Sequence, residues 1–184
     1  WEVTPFSWTA ADRLARVLRL PFPVATVLAG RGFVDPDEAQ AFLDCTAEIP
    51  DPFLFADMQA AVASLVAAIE GRSRVVVHGD YDADGITATA VMALGLRDFG
   101  LQAECYLPSR FTDGFGLSAR AVETIAEAGP ALLITVDCGV NYPAEVSLAR
   151  DLGLDVIVVD HHQPGPVLPS CALIHPVRGE YPTS

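Results

Sequence analysis

The sequence has 184 residues, a hydrophobic fraction of 51% and a net charge of −13, and every one of its 11 basic residues is arginine. This length suits one domain of ordinary size with a buried core, and no apolar run approaches the ~20 residues that cross a bilayer. So acidic a chain is a poor non-specific coat for nucleic acid, because phosphate contacts need clustered Lys or Arg, but it remains compatible with a nuclease whose carboxylates are offset by divalent cations.

In chain order, residues 1–72 read as helical and irregular. Residues 11–20 place Leu14, Val17 and Leu18 at helical spacing. Asp35-Pro36-Asp37-Glu38 reads as a helix start, with Asp35 as N-cap, Pro36 in the first turn and Glu38 as the capping-box acid. Residues 49–52 break the pattern, and Asp57 then caps a helix whose stripe is Val62, Leu65, Val66 and Ile69, ending at Gly71. Trp1, Trp8 and the phenylalanines read as core or interdomain packing. The first residues carry neither a basic nor an apolar leader segment, so no secretory signal is expected there.

From residue 74 the pattern changes to strands alternating with helices. Short apolar runs stand at 75–77, 103–107, 132–136, 156–159 and 172–174, and helical segments at 86–99, 118–128 and 143–152 separate the first four. Such β-branched runs alternating with helices predict an α/β fold: a mostly parallel five-stranded sheet with helices on both faces, preceded by a helical amino-terminal extension. The predicted division is an extension over 1–72, packed on a principal domain over 73–184.

Metal-ligand residue types gather at three strand ends. The first strand runs into His78-Gly79-Asp80-Tyr81-Asp82-Ala83-Asp84-Gly85, the third into Asp137-Cys138-Gly139, and the fourth into Asp160-His161-His162. In open parallel sheets, functional groups collect beyond the carboxyl ends of strands. The first cluster reads as a loop in extended conformation, which puts residues 78, 80, 82 and 84 on one side. Two carboxylates ~4 Å apart repel by about 4 kcal/mol at an effective dielectric near 20. No Lys or Arg lies inside this loop, so a divalent cation is the economical counter-charge. Asp and His together suit Mn²⁺, Fe²⁺, Zn²⁺ or Mg²⁺. An EF-hand is excluded, because the twelfth position counted from Asp80 is Val91 and not the bidentate Glu. Alone, each cluster has a structural alternative: Asp84-Gly85 as a helix cap, Asp137 as a turn, Asp160-His161-His162 as a solvated loop. Three at separate strand ends favour a shared site.

The combination HxxxDxD, Asp-Cys-Gly and Asp-His-His resembles the DHH phosphoesterase superfamily, and within it the RecJ-like single-strand DNA exonucleases. The narrower resemblance rests on residues 79–85, 133–139 and 159–162, on Pro108-Ser109-Arg110 with Gly114-Phe115-Gly116-Leu117, and on the lead-in Asp51-Pro52-Phe53-Leu54-Phe55. It implies two divalent metal ions, Mn²⁺ or Mg²⁺. His78 and Asp82 would hold the first, Asp84 and His161 the second, and Asp137 would bridge both. His162 would contact the scissile phosphate, with His162 and Asp137 as the catalytic pair. Asp80 and Asp160 would orient the ligands.

The implied activity is 5′-to-3′ hydrolysis of single-stranded DNA to nucleoside 5′-monophosphates, in repair and recombination, in the cytoplasm. The alternatives are another DHH phosphoesterase (an oligoribonuclease, a cyclic-dinucleotide phosphodiesterase or a pyrophosphatase) or a non-catalytic scaffold binding DNA or proteins. The resemblance also implies a further Asp motif and carboxy-terminal domains beyond Ser184. Residues 1–184 alone are therefore expected to be inactive or weak, and single-stranded DNA to bind through the complete protein.

Arg110 is either a ligand for a substrate phosphate or half of a surface salt bridge. Cys45, Cys105, Cys138 and Cys171 lack zinc or redox spacing and read as small buried thiols in a reducing compartment. Cys138 is not expected to be a nucleophile, and His175 reads as a packing or hydrogen-bonding residue.

Overall fold

The computed structural model describes residues 5–46, 49–111 and 113–182, so Trp1 lies outside the described residues. One compact unit ends at Pro50 and a second begins at Asp51. The division therefore falls before the helix over residues 58–71, which packs on the sheet, and not at residue 72.

The first unit contains α1 (Trp8–Val17), α2 (Phe22–Gly30) and α3 (Pro36–Leu43), joined around Leu14, Ala25, Leu28 and Ala39. The Ser7 hydroxyl caps α1 by accepting from the Ala10 N–H at 3.3 Å. The Asp35 carboxylate caps α3, accepting from the N–H groups of Asp37 and Glu38, with Pro36 at the first helical position where its missing N–H costs nothing. Trp8 is not core: it is 68% exposed and lies against the Phe22 ring.

The second unit runs α4 (Met58–Gly71), β1 (Val75–His78), α5 (Ala83–Asp98), β2 (Glu104–Tyr106), α6 (Ala119–Glu127), β3 (Leu132–Val136), α7 (Pro143–Asp151), β4 (Asp155–Val159) and β5 (Ala172–Ile174). The strands form one parallel sheet in the order β2-β1-β3-β4-β5. Alternate residues serve opposite faces. Val75, Val77, Leu132, Ile134, Val136 and Ile157 pack with α4 and α5. Val76, Leu133, Val156, Val158 and Leu173 pack with α6 and α7. Every residue of β1 and β3 is buried, which explains their continuous apolar character. Each buried Val, Leu or Ile contributes about 1.5–3 kcal/mol.

Several local details depart from expectation. Helix α5 starts at Ala83, so the loop after β1 is only residues 79–82, bent at Tyr81 and Asp82. Its cap is Asp82, whose Oδ1 accepts from the N–H groups of Asp84 and Gly85, both at 3.0 Å. Asp57 stands before α4 but does not cap it. Its Oδ2 accepts instead from Leu173 N–H at 3.1 Å and from the Arg178 guanidinium at 2.7 Å, tying the lead-in to β5 and the chain that follows. Arg72, not Gly71, takes the left-handed conformation that ends α4, with φ of 48°. Cys45 and Cys105 are exposed, Cys105 because β2 is an edge strand with an open face.

Across the base of the sheet, Arg74 donates to both oxygens of Glu104 at 2.8 Å and to the carbonyls of Ile125 and Gly129 at 2.9 and 3.2 Å. It thus closes carbonyls left open at the carboxyl end of α6.

The chain leaves β1 toward β2 on one side, while β3 lies on its other side. The crevice beyond the carboxyl ends of β1 and β3 is therefore a topological switch point, where open α/β sheets bind ligands.

Candidate metal centre

Pairing ends at Val136↔Val159 and at Val159↔Ile174. Asp137, Asp160 and His175 are consequently the first residues past three neighbouring strands. The row is kept in step by Asp137 N–H to the Val159 carbonyl at 3.0 Å and Asp160 N–H to the Ile174 carbonyl at 3.1 Å.

Asp137 has a φ of 59°, in the left-handed region. For a residue other than glycine this costs about 1–3 kcal/mol. It is held there by Gly139, itself at φ 121°, and by the Thr135 hydroxyl donating to the Cys138 carbonyl at 2.8 Å. The turn carries the Asp137 carboxylate over the sheet edge. There Asp137 Oδ1 lies 2.9 Å from His161 Nε2, and Asp84 Oδ2 lies 3.4 Å from the same nitrogen. One ligand atom each from Asp137, His161 and His162 falls within 4.8 Å of the others. Burial pushes the Asp137 carboxyl above its usual range; the His161 hydrogen bond pulls it back, and Asp84 and Asp82 push it up further. Two carboxylates directed at one ring nitrogen mark a point where positive charge is wanted.

Asp160 organises the second histidine. Its Oδ2 accepts from Val140 N–H at 2.9 Å. Its Oδ1 accepts from the N–H groups of His161 and His162 at 2.7 and 3.1 Å, and from His162 Nδ1 at 2.8 Å. Burial works to raise this carboxyl, but these donors hold it below its usual range. The same pair raises the His162 imidazole.

His78 is fully buried, and burial lowers its pKa to about 4, so the ring is neutral. Cys138 Sγ lies 3.6 Å from its Nδ1 and 4.0 Å from its carbonyl. With the thiol proton directed to that carbonyl, Sγ accepts Nδ1–H and the Nε2 lone pair is left over. His78 Nε2 indeed has no hydrogen-bond partner among the described residues, and neither has Asp80 Oδ2. A buried polar atom is rarely left unpaired without a reason such as an ion. The donor set of carboxylates and a neutral imidazole, with these two orphans beside it, fits divalent metal ions. Cys138 is buried, and burial drives its thiol pKa far upward, so it is no nucleophile.

Asp80 Oδ1 accepts from Tyr81 N–H at 2.6 Å, and burial raises the Asp80 carboxyl. The Arg110 guanidinium sits 4.7 Å from the centroid of the Tyr81 ring. Tyr81 meets Phe115 edge-on at 6.2 Å, and Phe115 meets His162 edge-on at 6.0 Å. Phe115 is 50% exposed and Phe111 92%, so neither belongs to the core, and Phe115 lies at the rim of the site. The signal for that rim was the short segment 108–117, whose glycines and Arg110 stood apart from any helix or strand pattern. A largely apolar cavity of about 820 Å³ between α4 and α5 opens at one end onto Asp84, Asp137 and His161.

Residues 74–183 match the model described as "DHH family, N-terminal domain". The chain is 39% identical over 96% of its length to the single-stranded-DNA-specific exonuclease RecJ of Bacillus subtilis, and 45% identical over 65% to that of Escherichia coli. It spans 23% and 21% of those two proteins. Among solved structures, it resembles an exonuclease RecJ bound to manganese, with a TM-score of 0.64 and 37% identity over 70% of this chain and 33% of that one. It also resembles RecJ of Thermus thermophilus in complex with Mn²⁺, with a TM-score of 0.66 and 29% identity over 95% of this chain and 24% of that one. Among the described residues, no helix is long and apolar enough to cross a membrane.

Proposed function

The chain belongs to the DHH family, and on that premise we propose that it carries the metal centre of a phosphodiesterase that degrades single-stranded DNA from the 5′ end, in cytoplasmic repair and recombination. The observation that carries this reading is the convergence of Asp84, Asp137 and His161 at 2.9–3.4 Å beside His162. RecJ relatives named as single-stranded-DNA-specific exonucleases, and their manganese-bound structures, support the substrate and the metal.

His78 and Asp82 would hold one ion, Asp84 and His161 the other, and Asp137 would serve both. Mn²⁺ or Mg²⁺ bound there would supply Lewis acidity and an activated water. Asp82 can serve while capping α5, because the cap uses only Oδ1. Asp160 accepts from Nδ1–H and favours the protonated His162 imidazole, whose Nε2–H would then donate to a phosphate oxygen. Asp160 also bonds the main chain of His161, so one carboxylate orients both histidines. Asp80 underlies the Asp82 turn. Arg110, braced on Tyr81, would pair with a backbone phosphate through its planar fork.

The test is release of nucleoside 5′-monophosphates from a 5′-phosphorylated oligonucleotide with Mn²⁺, using the complete protein. Asp137→Ala is expected to abolish both hydrolysis and full manganese stoichiometry. His162→Ala is expected to retain the metal and to lose turnover by on the order of 10²-fold or more. Full manganese binding by Asp137→Ala, or a preference for cyclic dinucleotides over single strands, would overturn the reading.

A further inference from the structure

His162 is held from two directions. Its ring and its N–H both meet Asp160 Oδ1. Its carbonyl oxygen lies 2.8 Å from His175 Nε2. His175 stands past β5, level with Asp160 past β4, and is buried at 4% exposure, so water does not readily replace it.

The protonation pattern of His175 follows from its neighbours. Val177 N–H donates to Nδ1 at 3.0 Å, so Nδ1 carries the lone pair and Nε2 carries the proton. That proton points to the His162 carbonyl. Pro176 restricts residue 175 to extended backbone, and Arg178 N–H closes the turn on the His175 carbonyl at 3.0 Å. The turn is tied down in its turn by Arg178 to Asp57 at 2.7 Å, and β5 by Leu173 N–H to the same carboxylate. The lead-in before α4 therefore reaches His162 through an unbroken series of bonds.

We propose that His175 is a positioning residue for the reaction: its Nε2–H pins the His162 main chain, so that the His162 ring is presented to the scissile phosphate at a fixed height above the row. The inference rests on the reading of His162 as the phosphate contact. Asp160 holds the His162 ring and its N–H but leaves the carbonyl side of the residue to His175, and a displacement of about 1 Å at a reacting group costs on the order of 10²-fold in rate.

Two substitutions separate this role from plain support of the turn. In His175→Gln the side-chain amide N–H reaches the place of Nε2 and can donate to His162, while the Val177 bond is lost. In His175→Asn the side-chain oxygen takes the place of Nδ1 and keeps the Val177 bond, but nothing reaches His162. In the complete protein, His175→Ala and His175→Asn are expected to lower kcat about ten- to a hundredfold, with KM and manganese stoichiometry unchanged, and His175→Gln is expected to recover most of the loss. Recovery by Asn and not by Gln, equal loss in all three variants, or wild-type turnover in all three would overturn the proposal.

A second readout needs no turnover. The imidazole ¹⁵N signals of His162 should shift in the Ala and Asn variants and return in the Gln variant; unchanged signals throughout would overturn it equally. An inactive wild-type protein would defeat the functional reading instead, and the His162 signals would then decide this inference alone.

Discussion

Replacing Gly85 by alanine tests the geometry of the centre where the start of α5 meets the Asp80 backbone. A Cβ built on Gly85 falls 2.6 Å from both the Cα and the carbonyl oxygen of Asp80. Ordinary contact begins near 3.4 Å and the Asp80 backbone nitrogen lies closer still, so the shortfall is at least about 0.8 Å, and the obstructing atoms are backbone that cannot swing aside. The start of α5 must move by a similar distance. Overpacking of this kind costs about 1–3 kcal/mol. The same movement loosens the Asp82 cap, made through the N–H groups of Asp84 and Gly85, and a lost cap costs about 0.5–2 kcal/mol. Alanine returns about 1 kcal/mol in helix propensity. The net loss is about 0.5–4 kcal/mol, a fall of roughly 1–16 °C in Tm for a chain of this size.

Asp84 precedes Gly85 and is carried with it, away from the 3.4 Å approach to His161. Manganese titration of the folded variant should therefore show one ion weakened more than the other. The stability is read by thermal or urea unfolding. A variant with wild-type Tm and two equally retained ions would refute the close approach of α5 to Asp80.

Arg74→Ala should cost about 2–3 kcal/mol in urea unfolding, because it uncovers the carbonyls of Ile125 and Gly129 as well as breaking the Glu104 pair. Glu104→Ala should cost under ~1 kcal/mol, since Glu104 is 60% exposed; equal losses would show that the ion pair is the whole contribution. Arg110→Ala should raise KM for single strands and leave manganese stoichiometry intact. Tyr81→Leu should raise KM about two- to fivefold, the share of a cation–π brace worth roughly 0.5–1 kcal/mol; no change in KM would remove Arg110 from the substrate path.

The strands and the ligand clusters were legible because both are local. β1 and β3 are short runs of buried branched residues, and the Asp and His residues follow them directly in sequence. The start of α5 was less legible, because Asp80, Asp82 and Asp84 each satisfy the chemistry of a cap, and only the close packing of Gly85 on Asp80 selects Asp82. Helix α2 gave no signal, being apolar on all sides with Pro23 in its first turn. The division of the compact units ahead of α4 had no signal in spacing, because α4 has its own stripe and reads as one more helix of the amino-terminal set; its place on the sheet is a tertiary fact. Asp57 bonds to Arg178 across 121 residues, and His175 to His162 across a loop that carries no periodic pattern. Contacts of that range leave no trace in spacing. The aromatic members of the rim, Tyr81 and Phe115, were hidden for a different reason, since an aromatic residue in a loop reads the same whether it faces the core or solvent.

The left-handed backbone at Asp137 limits what can stand there in a way the metal chemistry alone does not. Glutamate would keep the charge, but it adds a longer arm to a conformation that its side chain resists. Asparagine and glycine would accept the conformation and forfeit the charge. Aspartate is the residue that meets both demands, so any single replacement fails on one count or the other. In a set of descendants of this sequence, position 137 should therefore be the last of the ligand positions to drift, and a lineage that has lost the reaction should show glycine or asparagine there before it shows glutamate.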